Sequence, residues 1–292
     1  MSAERPLFSL ILATYGRSDD IGRLVDSLAD QEEQRFELLV VDQNGDERVA
    51  PYVEQARAAG LTVSHLRMAR PNLSSARNAG LAAARGEWVA FPDDDCWYEP
   101  GLLAAIARGA SSDEGLQGLV AEWVEREEVH PQDQSGHDLT LAAWRRYRGG
   151  DASSISLFIR TELVRQVGGF DERMGVGQWY GAGEEIDLIM SLLGRGARFR
   201  RVQEAQVHHA FSASPGDVPV RSVWRQSLSR ARGTGAIYAK QGLALPTILR
   251  GLAAPLVRGL LSGRISSFVG GLATSYGRWQ GWRTWPSRAE RP

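Results

Sequence analysis

The sequence predicts an α/β fold: a mostly parallel sheet flanked by helices, followed by a basic helical extension at the C-terminus. Over the first hundred residues, short apolar runs rich in β-branched residues alternate with amphipathic segments, the pattern of βαβ units. An apolar content of 43% in 292 residues supports a substantial core. Residues 220–292 hold twelve arginines and lysines and one acid, a net charge of +11, which leaves −12 for residues 1–219.

The predicted elements alternate in order along the chain. Periodicity predicts strands at 7–13, 36–41, 62–66 and 88–91 and helices at 21–28, 49–58 and 74–84. After residue 99 we expect a helix to residue 108, a strand near 119–124, a polar loop at 129–137, a short helix at 139–147, a strand at 153–160, a glycine-rich loop at 168–183, a helix at 184–193 and a strand near 199–202.

Three consecutive carboxylates, Asp93, Asp94 and Asp95, follow the fourth predicted strand. Adjacent acids repel one another unless a cation or several donors neutralise them. Because alternate residues of an extended chain point the same way, Asp93 and Asp95 can converge on one divalent ion while Asp94 turns elsewhere. Oxygen ligands favour Mg or Mn. An acidic turn or helix cap is the alternative on these residues alone.

Polar residues also follow the first two predicted strands. Thr14, Tyr15 and Arg17 come after the first strand and Asp42 after the second. In open α/β sheets, ligands bind outside the carboxyl ends of the strands, so these residues are candidate ligand contacts. A turn-forming role for Asp42 and packing of Tyr15 over the sheet are the alternatives.

Composition limits the other classes of site. The single cysteine, Cys96, excludes an internal disulfide and a cysteine-based zinc site. Residues 1–6 lack the basic and apolar regions of a signal peptide, and no stretch reaches the roughly 18 apolar residues of a membrane span. These features predict a cytoplasmic protein.

Six motifs in this order resemble the inverting glycosyltransferases of family 2, which have the GT-A fold. They are Thr-Tyr-Gly-Arg at 14–17, Asp42, Ala-Arg-Asn-Ala-Gly at 76–80, Asp-Asp-Asp at 93–95, Gly-Gly-Phe-Asp-Glu at 168–172 and Gly-Ala-Gly-Glu-Glu-Ile-Asp at 181–187. Each is weak alone, but six in order are specific. The resemblance implies a catalytic domain over 1–219, with a nucleotide-binding half at about 1–100 and an acceptor half at about 101–219, before the extension at 220–292.

The resemblance also implies contacts with a nucleotide-sugar donor. Thr14 and Tyr15 would flank the base, and Asp42 would hydrogen-bond a uracil imide. Arg77 would reach the diphosphate from a helix start, where its charge and the helix N-terminus favour an anion; a surface salt bridge is the alternative. The remaining candidate donor residues are Arg17, Asn72, Asp93 and Asp94. For Asn72, capping of the same helix is the interpretation we favour.

A metal site is implied at the same sheet edge. Asp95 is the first candidate ligand, with Asp93, and either His208 or His209 resembles a histidine near the metal or diphosphate. The cofactor would be Mn or Mg, which would stabilise the charge that grows on the leaving diphosphate. A structural role is the alternative for either histidine.

An inverting transfer needs a carboxylate base that takes the proton of the acceptor hydroxyl. Glu184, Glu185 and Asp187 are the candidates, and the resemblance points to Glu185, the second acid. Their alternative role is to offset the dipole of the helix that they open, which would account for one acid better than for three. Trp179 and Tyr180 are candidate acceptor contacts, because aromatic faces stack on sugar rings; burial of Trp179 is the alternative.

The predicted activity is therefore transfer of a hexosyl or N-acetylhexosaminyl group from a nucleotide-sugar to a hydroxyl of a lipid-linked or polysaccharide acceptor. A UDP-sugar is the donor that we favour. One alternative is a catalytically inactive relative that binds nucleotide-sugar or glycan. Another is a sugar-phosphate nucleotidyltransferase, which should carry a glycine-rich phosphate loop after the first strand, where residues 14–19 contain one glycine.

The C-terminal region reads as basic and amphipathic. Apolar residues recur at helical spacing beside arginines, and Pro246 and Pro255 predict two short helices instead of one long one. Trp279, Trp282 and Trp285 lie among arginines, a composition typical of membrane interfaces. We hypothesise peripheral contact with the anionic inner face of the cell membrane. A packed helical subdomain or dimer interface is the alternative; nucleic acid is a third, which no recognisable module supports.

Overall fold

The computed structural model describes residues 5–17, 20–124, 138–147, 152–209 and 219–285. The chain divides into two compact units. The first unit is formed by Met1–Thr140, Gly149–Gly169 and Leu192–Phe211, and the second unit by Leu141–Arg148, Phe170–Ser191 and Ser212–Pro292. The predicted polar loop at 129–137 lies outside the described residues, and the predicted boundary after residue 219 stays a prediction.

The first unit is built around one eight-stranded sheet with the order β3-β2-β1-β4-β7-β6-β8-β5. Its strands are β1 (Phe8–Thr14), β2 (Phe36–Asp42), β3 (Val63–Arg67), β4 (Trp88–Ala90), β5 (Cys96–Tyr98), β6 (Gly118–Trp123), β7 (Leu157–Arg160) and β8 (Phe199–His209). Its helices are α1 (Ile21–Ala29), α2 (Ala50–Ala58), α3 (Leu73–Ala83), α4 (Leu102–Ser112) and α6 (Thr161–Gln166). The predicted mostly parallel sheet flanked by helices is confirmed.

The central strands form because they are apolar on both faces. Strands β1 and β4 run parallel to each other, and β2 is parallel to both β1 and β3. Every residue of β2 is buried, the burial expected of a strand covered by helices on both sides. The core includes Phe8, Leu10, Leu12, Leu38 and Trp88, each at most 1% exposed. This packing fixes the carboxyl ends of β1, β2 and β4 at one sheet edge.

The second half of the sheet departs from the sequence prediction at several points. The strand predicted at 153–160 begins only at Leu157, after a short 3₁₀ helix at Ser154–Ser156. The predicted strand near 199–202 extends to His209, and β5 was not predicted. Cys96, Trp97 and Tyr98 pair antiparallel with His209, His208 and Val207. Three residues carry no strand signal of their own, so β5 forms only because β8 offers it a partner.

The second unit is helical. It contains α5 (Leu141–Arg145), the start of α7 (Glu184–Gly194), and α8 (Val220–Lys240), α9 (Leu245–Leu261) and α10 (Ile265–Thr284). Glycines let α8 and α10 approach closely: a Cβ at Gly235, Gly277 or Gly281 would collide with a backbone carbonyl of the facing helix. Among the described residues, no helix combines the length and the apolar character needed to cross a bilayer.

The prediction of two short helices from Pro246 and Pro255 is wrong, because α9 is continuous. Pro246 lies in the first turn, where a missing N–H costs nothing. Pro255 cannot donate to the carbonyl of Gly251, four residues earlier. Arg278 Nη1 donates to that carbonyl at 2.6 Å, and Ser275 Oγ donates to the next carbonyl along the helix at 2.7 Å. The side chain of Arg278 therefore replaces the hydrogen bond that the proline removes, and Ser275 adds a second contact from α10.

Candidate functional site

The carboxyl edge of the sheet in the first unit gathers the polar residues predicted to contact a ligand. Thr14 ends β1 and pairs in register with Asp42, which ends β2. Asp93, Asp94 and Asp95 follow β4, the other neighbour of β1. Because these three strands are parallel, their last residues meet at one edge, where α/β sheets bind ligands.

Two of the three consecutive aspartates face a histidine. Asp93, Asp95 and His209 each offer one ligand atom, and these atoms lie within 4.8 Å of one another. Asp95 directly precedes β5, and pairing of Cys96 with His209 brings the imidazole beside it. Two carboxylates and one imidazole form a donor set that suits a divalent transition ion such as Mn²⁺. The residues therefore fit a metal site.

Asp95 is engaged from two sides. Its Oδ1 lies 3.0 Å from His209 Nε2, and its Oδ2 accepts a 2.6 Å hydrogen bond from Arg17 Nη1. Burial alone would raise the pKa of Asp95, but His209 and Arg17 outweigh it and lower that pKa. The hydrogen bond with Asp95 in turn raises the pKa of His209. Arg17 is 61% exposed, so a metal ion would compete with a solvent-exposed side chain for Asp95.

Asp94 makes different contacts from its neighbours. Its Oδ2 accepts a 2.9 Å hydrogen bond from Thr14 Oγ1, and its Oδ1 lies 2.8 Å from Arg17 Nη2. Asp94 is buried, and burial raises its pKa above the usual value. Asp94 thus ties the end of β1 to the segment after β4, and it shares the guanidinium of Arg17 with Asp95.

Asp42 forms the turn that the sequence offered as its alternative role. Its Oδ1 accepts from both the backbone N and Nδ2 of Asn44 at 2.9 Å. Its Oδ2 lies 3.0 Å from His65 Nε2, and its side chain is fully buried. Asp42 therefore holds the backbone after β2, while contact with a base stays a prediction. Tyr15, next to this turn, is 58% exposed and is not packed over the sheet.

Arg77 is 2% exposed, so the alternative of a surface salt bridge is wrong. Its Nη2 donates to Asp93 Oδ1 and to Ser154 Oγ, both at 3.0 Å. Arg77 reaches this position because α3 packs against the sheet and begins at a capping residue: Asn72 Oδ1 accepts from the backbone N of Ser75 at 3.0 Å. Asn72 is therefore a cap, and Arg77 holds one of the candidate metal ligands.

The two candidate histidines occupy different surroundings. His209 belongs to the cluster with Asp93 and Asp95. His208 Nε2 lies 2.6 Å from Glu99 Oε1, and its ring stacks on Trp97 at 5.1 Å. Neighbouring residues of a strand point to opposite faces. The structure therefore brings His209 to the candidate metal site and directs His208 elsewhere.

The second unit holds the other group of predicted acids, at the start of α7. Glu184 is 5% exposed and Asp187 is 4% exposed, whereas Glu185 is half-buried. Asp187 Oδ1 accepts from Gln241 Nε2 at 2.7 Å. Of the three acids, Glu185 alone combines a place in the first helical turn with a partly exposed side chain.

Lys240 is a partner of the predicted acids that the sequence did not reveal. Its Nζ donates to Asp171 Oδ2 and to Asp187 Oδ2, both at 2.6 Å. Burial would raise the pKa of Asp171, but hydrogen bonds from Arg173 and Lys240 hold it well below its usual range. Lys240, the only lysine of the chain, thus links the end of α8 to the start of α7 and to the Gly-Gly-Phe-Asp-Glu motif.

The two predicted acceptor contacts differ in accessibility. Trp179 is 53% exposed, and the guanidinium carbon of Arg232 lies 3.6 Å from its ring centre. Tyr180 is 8% exposed; its hydroxyl donates to the carbonyl of Thr284 at 2.9 Å, and its ring contacts Trp285. Burial thus applies to Tyr180 and not to Trp179, so Trp179 keeps a ring face for a ligand while Tyr180 anchors the chain.

We expect Lys240→Met to lower the free energy of unfolding by about 3 kcal/mol near pH 7, because it removes the ammonium that hydrogen-bonds the buried Asp187 and also Asp171. The low pKa of Asp171 stabilises the folded state above pH ~4, and this contribution is lost as the pH falls through the folded-state pKa. The penalty of the variant should therefore shrink in acid. Denaturant unfolding at several pH values measures both effects.

Arg108→Met is the matched control for this variant, since Arg108 is an exposed cation of α4. It should change the free energy of unfolding by less than about 0.5 kcal/mol. Equal unfolding free energies for the wild type and Lys240→Met would contradict a stabilising role of the lysine.

Comparison with known proteins identifies sequence and structural relatives. Residues 9–161 match the model of Glycosyl transferase family 2. Putative glycosyltransferase EpsH of Bacillus subtilis is 28% identical over 113 residues, which are 39% of this chain and 33% of that protein. The matched segment is thus about a third of the length of this relative.

Solved structures share the fold over most of the chain. S. aureus TarS 1–349 in complex with UDP-GlcNAc has a TM-score of 0.59 at 18% identity, covering 94% of this chain and 92% of that one. The mannosyltransferase PcManGT from Pyrobaculum calidifontis, in complex with GDP-Man and Mn²⁺, has a TM-score of 0.61 at 16% identity, covering 96% and 86%. At these identities the likeness concerns the fold, which is the GT-A arrangement.

Proposed function

The chain belongs to glycosyl transferase family 2, and from this premise we propose that it transfers a sugar from a UDP-sugar to a hydroxyl group of a lipid-linked or polysaccharide acceptor. The cluster of Asp93, Asp95 and His209 at the carboxyl edge of the sheet carries the proposal. A divalent cation held at that edge would stabilise the charge of a diphosphate leaving group. The UDP-GlcNAc complex of TarS supports the choice of donor.

We propose that Asp93, Asp95 and His209 hold a divalent cation, with Mn²⁺ the first candidate because PcManGT was solved with Mn²⁺. When bound, the cation would supply positive charge for the diphosphate of the donor. Arg77 fixes Asp93 through its hydrogen bond. Thr14 and Asp42 shape the neighbouring part of the edge, where we place the base of the nucleotide.

We propose Glu185 as the base of an inverting transfer. The acceptor oxygen would attack the anomeric carbon as its proton passes to the Glu185 carboxylate, while the bond from the anomeric carbon to the diphosphate oxygen breaks and UDP leaves. Asp187 has its side chain committed to Lys240 and Gln241, so it acts as a positioning residue. Trp179 is the proposed acceptor contact.

Calorimetry with nucleoside diphosphates tests the donor class. We expect UDP to bind in the presence of Mn²⁺ and to lose most of its affinity in excess chelator. A hydrogen bond from the uracil imide to Asp42, formed in place of one of its present partners Asn44 and His65, should favour UDP over GDP by roughly tenfold or more. Equal affinity for UDP and GDP would contradict the role of Asp42, and metal-independent binding would contradict the metal site.

A further inference from the structure

Helix α10 carries a row of exposed apolar side chains along one side. Ile265, Phe268, Leu272, Tyr276 and Trp279 recur every three or four residues, so they share one face of the helix. Their exposures run from 38% to 77%. We call this row the α10 stripe. A contiguous apolar row that faces water marks an interaction surface, in contrast to single exposed apolar residues.

The stripe continues onto the end of the preceding helix. Leu260 and Leu261, the last residues of α9, are 65% and 81% exposed and lie just before the start of α10. At the other end of the stripe, Tyr276 and Trp279 stack with ring centres 5.8 Å apart. Tyrosine and tryptophan are enriched where an apolar phase meets water. The α10 stripe therefore carries aliphatic side chains at the end next to Leu261, and at its other end the aromatic side chains typical of a membrane–water interface.

The positive charge around the α10 stripe favours an anionic partner. Residues 220–285 contain ten arginines and lysines and no acid. Arg258 and Arg264 are exposed on either side of Leu260 and Leu261 in the sequence, and Arg283 is exposed one helical turn after Trp279. A second copy of the same surface would bring like charges together, whereas an anionic lipid surface would meet opposite charge at these exposed arginines.

We propose that the α10 stripe binds the surface of a bilayer that contains anionic lipid, with α10 lying in the plane of the interface. Apolar side chains would enter the acyl boundary, and the arginines would contact lipid headgroups. The proposal goes beyond sugar transfer and does not depend on it. It also narrows the predicted membrane contact, which covered residues 220–292, to one face of α10 and the end of α9.

Co-sedimentation with vesicles tests the proposal on the full chain. The wild type should bind phosphatidylcholine vesicles that contain about a third phosphatidylglycerol, and should bind pure phosphatidylcholine much more weakly. Ile265→Ser/Leu272→Ser should lower the partition coefficient by roughly tenfold or more. Arg258→Glu/Arg264→Glu should lower it by a similar factor, with the largest difference at low salt.

Matched controls separate the stripe from general surface effects. Val124→Ser/Val176→Ser removes two apolar side chains that are exposed elsewhere, at 45% and 69%, and should leave vesicle binding unchanged. Arg57→Glu/Arg108→Glu makes the same charge change on exposed helical positions of the first unit. UDP binding with Mn²⁺ should persist in every variant, which reports folding independently of lipid.

Several outcomes would overturn the proposal. Absence of wild-type binding to anionic vesicles would exclude a lipid partner, whatever the result for UDP. Undiminished vesicle binding by the stripe variant would exclude the stripe. Self-association that the stripe variant abolishes, without any vesicle binding, would make the stripe a contact between copies. Conversely, vesicle binding without UDP binding would uphold this inference and contradict the proposed function alone.

Discussion

Replacing Asp95 by alanine is expected to abolish the metal-dependent binding of UDP. Asp95 lies between His209 and Arg17, and its removal leaves Asp93 and His209 as an incomplete ligand set. In the wild type, Mn²⁺ at about one hundred times its dissociation constant should raise the free energy of unfolding by roughly 2.7 kcal/mol. This increase should vanish in Asp95→Ala. Thermal unfolding with and without Mn²⁺ measures it without an acceptor.

Asp26→Ala is the control for this prediction, because Asp26 is an exposed carboxylate on α1 outside the cluster. It should keep both the Mn²⁺-induced stabilisation and the calorimetric UDP signal. Comparison of the metal-free proteins first shows whether either substitution disturbs the fold. If Asp95→Ala gains as much stability from Mn²⁺ as the wild type does, the ion binds elsewhere and the assignment fails.

The first half of the fold could be predicted because its signals are local. Strands β1 and β2 are apolar runs interrupted only by Ser9 and Glu37, which predict strands buried on both faces, and polar residues mark where they end. The observed ends differ from the predicted ones by one residue. The order of the strands follows from alternation with helices. Pattern and packing agree here, so sequence alone places Asp42 and Asp93 at one edge.

The parts that could not be predicted depend on distant partners. Strand β5 exists through pairing with β8, more than one hundred residues later. That pairing also decides between His208 and His209, a choice that the sequence left open. The sequence left two roles open for Arg77, a contact with the diphosphate and a surface salt bridge, because the residue is positively charged in both. Only the packing of α3 shows that Arg77 is buried against Asp93.

The helices of the second unit also depend on partners that are distant in the sequence. Pro255 predicts a break when α9 is considered alone, and the helix continues because Arg278 of α10 supplies the lost hydrogen bond. Lys240 meets Asp171 and Asp187 across 69 and 53 residues of sequence. Neither the hydrogen bond of Arg278 nor the ion pairs of Lys240 produce a periodic pattern in the sequence. The acids of the family motifs were recognisable, but the cation that holds two of them was not.

We expect Glu185→Gln to abolish transfer and to leave donor binding unchanged, which would distinguish Glu185 from the other acids at the start of α7. The substitution keeps the shape of the side chain and removes the proton acceptor. Loss of a general base lowers a rate by about 10² to 10⁴-fold. Release of UDP from UDP-sugars, with water as the acceptor, gives the rate, and calorimetry with UDP and Mn²⁺ gives the binding.

Glu184→Gln supplies the matched comparison, because neighbouring residues of a helix point about 100° apart and cannot serve the same hydroxyl. Glu184 is 5% exposed, whereas Glu185 is half-buried. Glu184→Gln should therefore affect stability more than rate. A larger loss of rate in Glu184→Gln than in Glu185→Gln would transfer the role to Glu184. Full activity in both variants would mean that neither acid takes the proton, so the acid pair would serve only to open the helix.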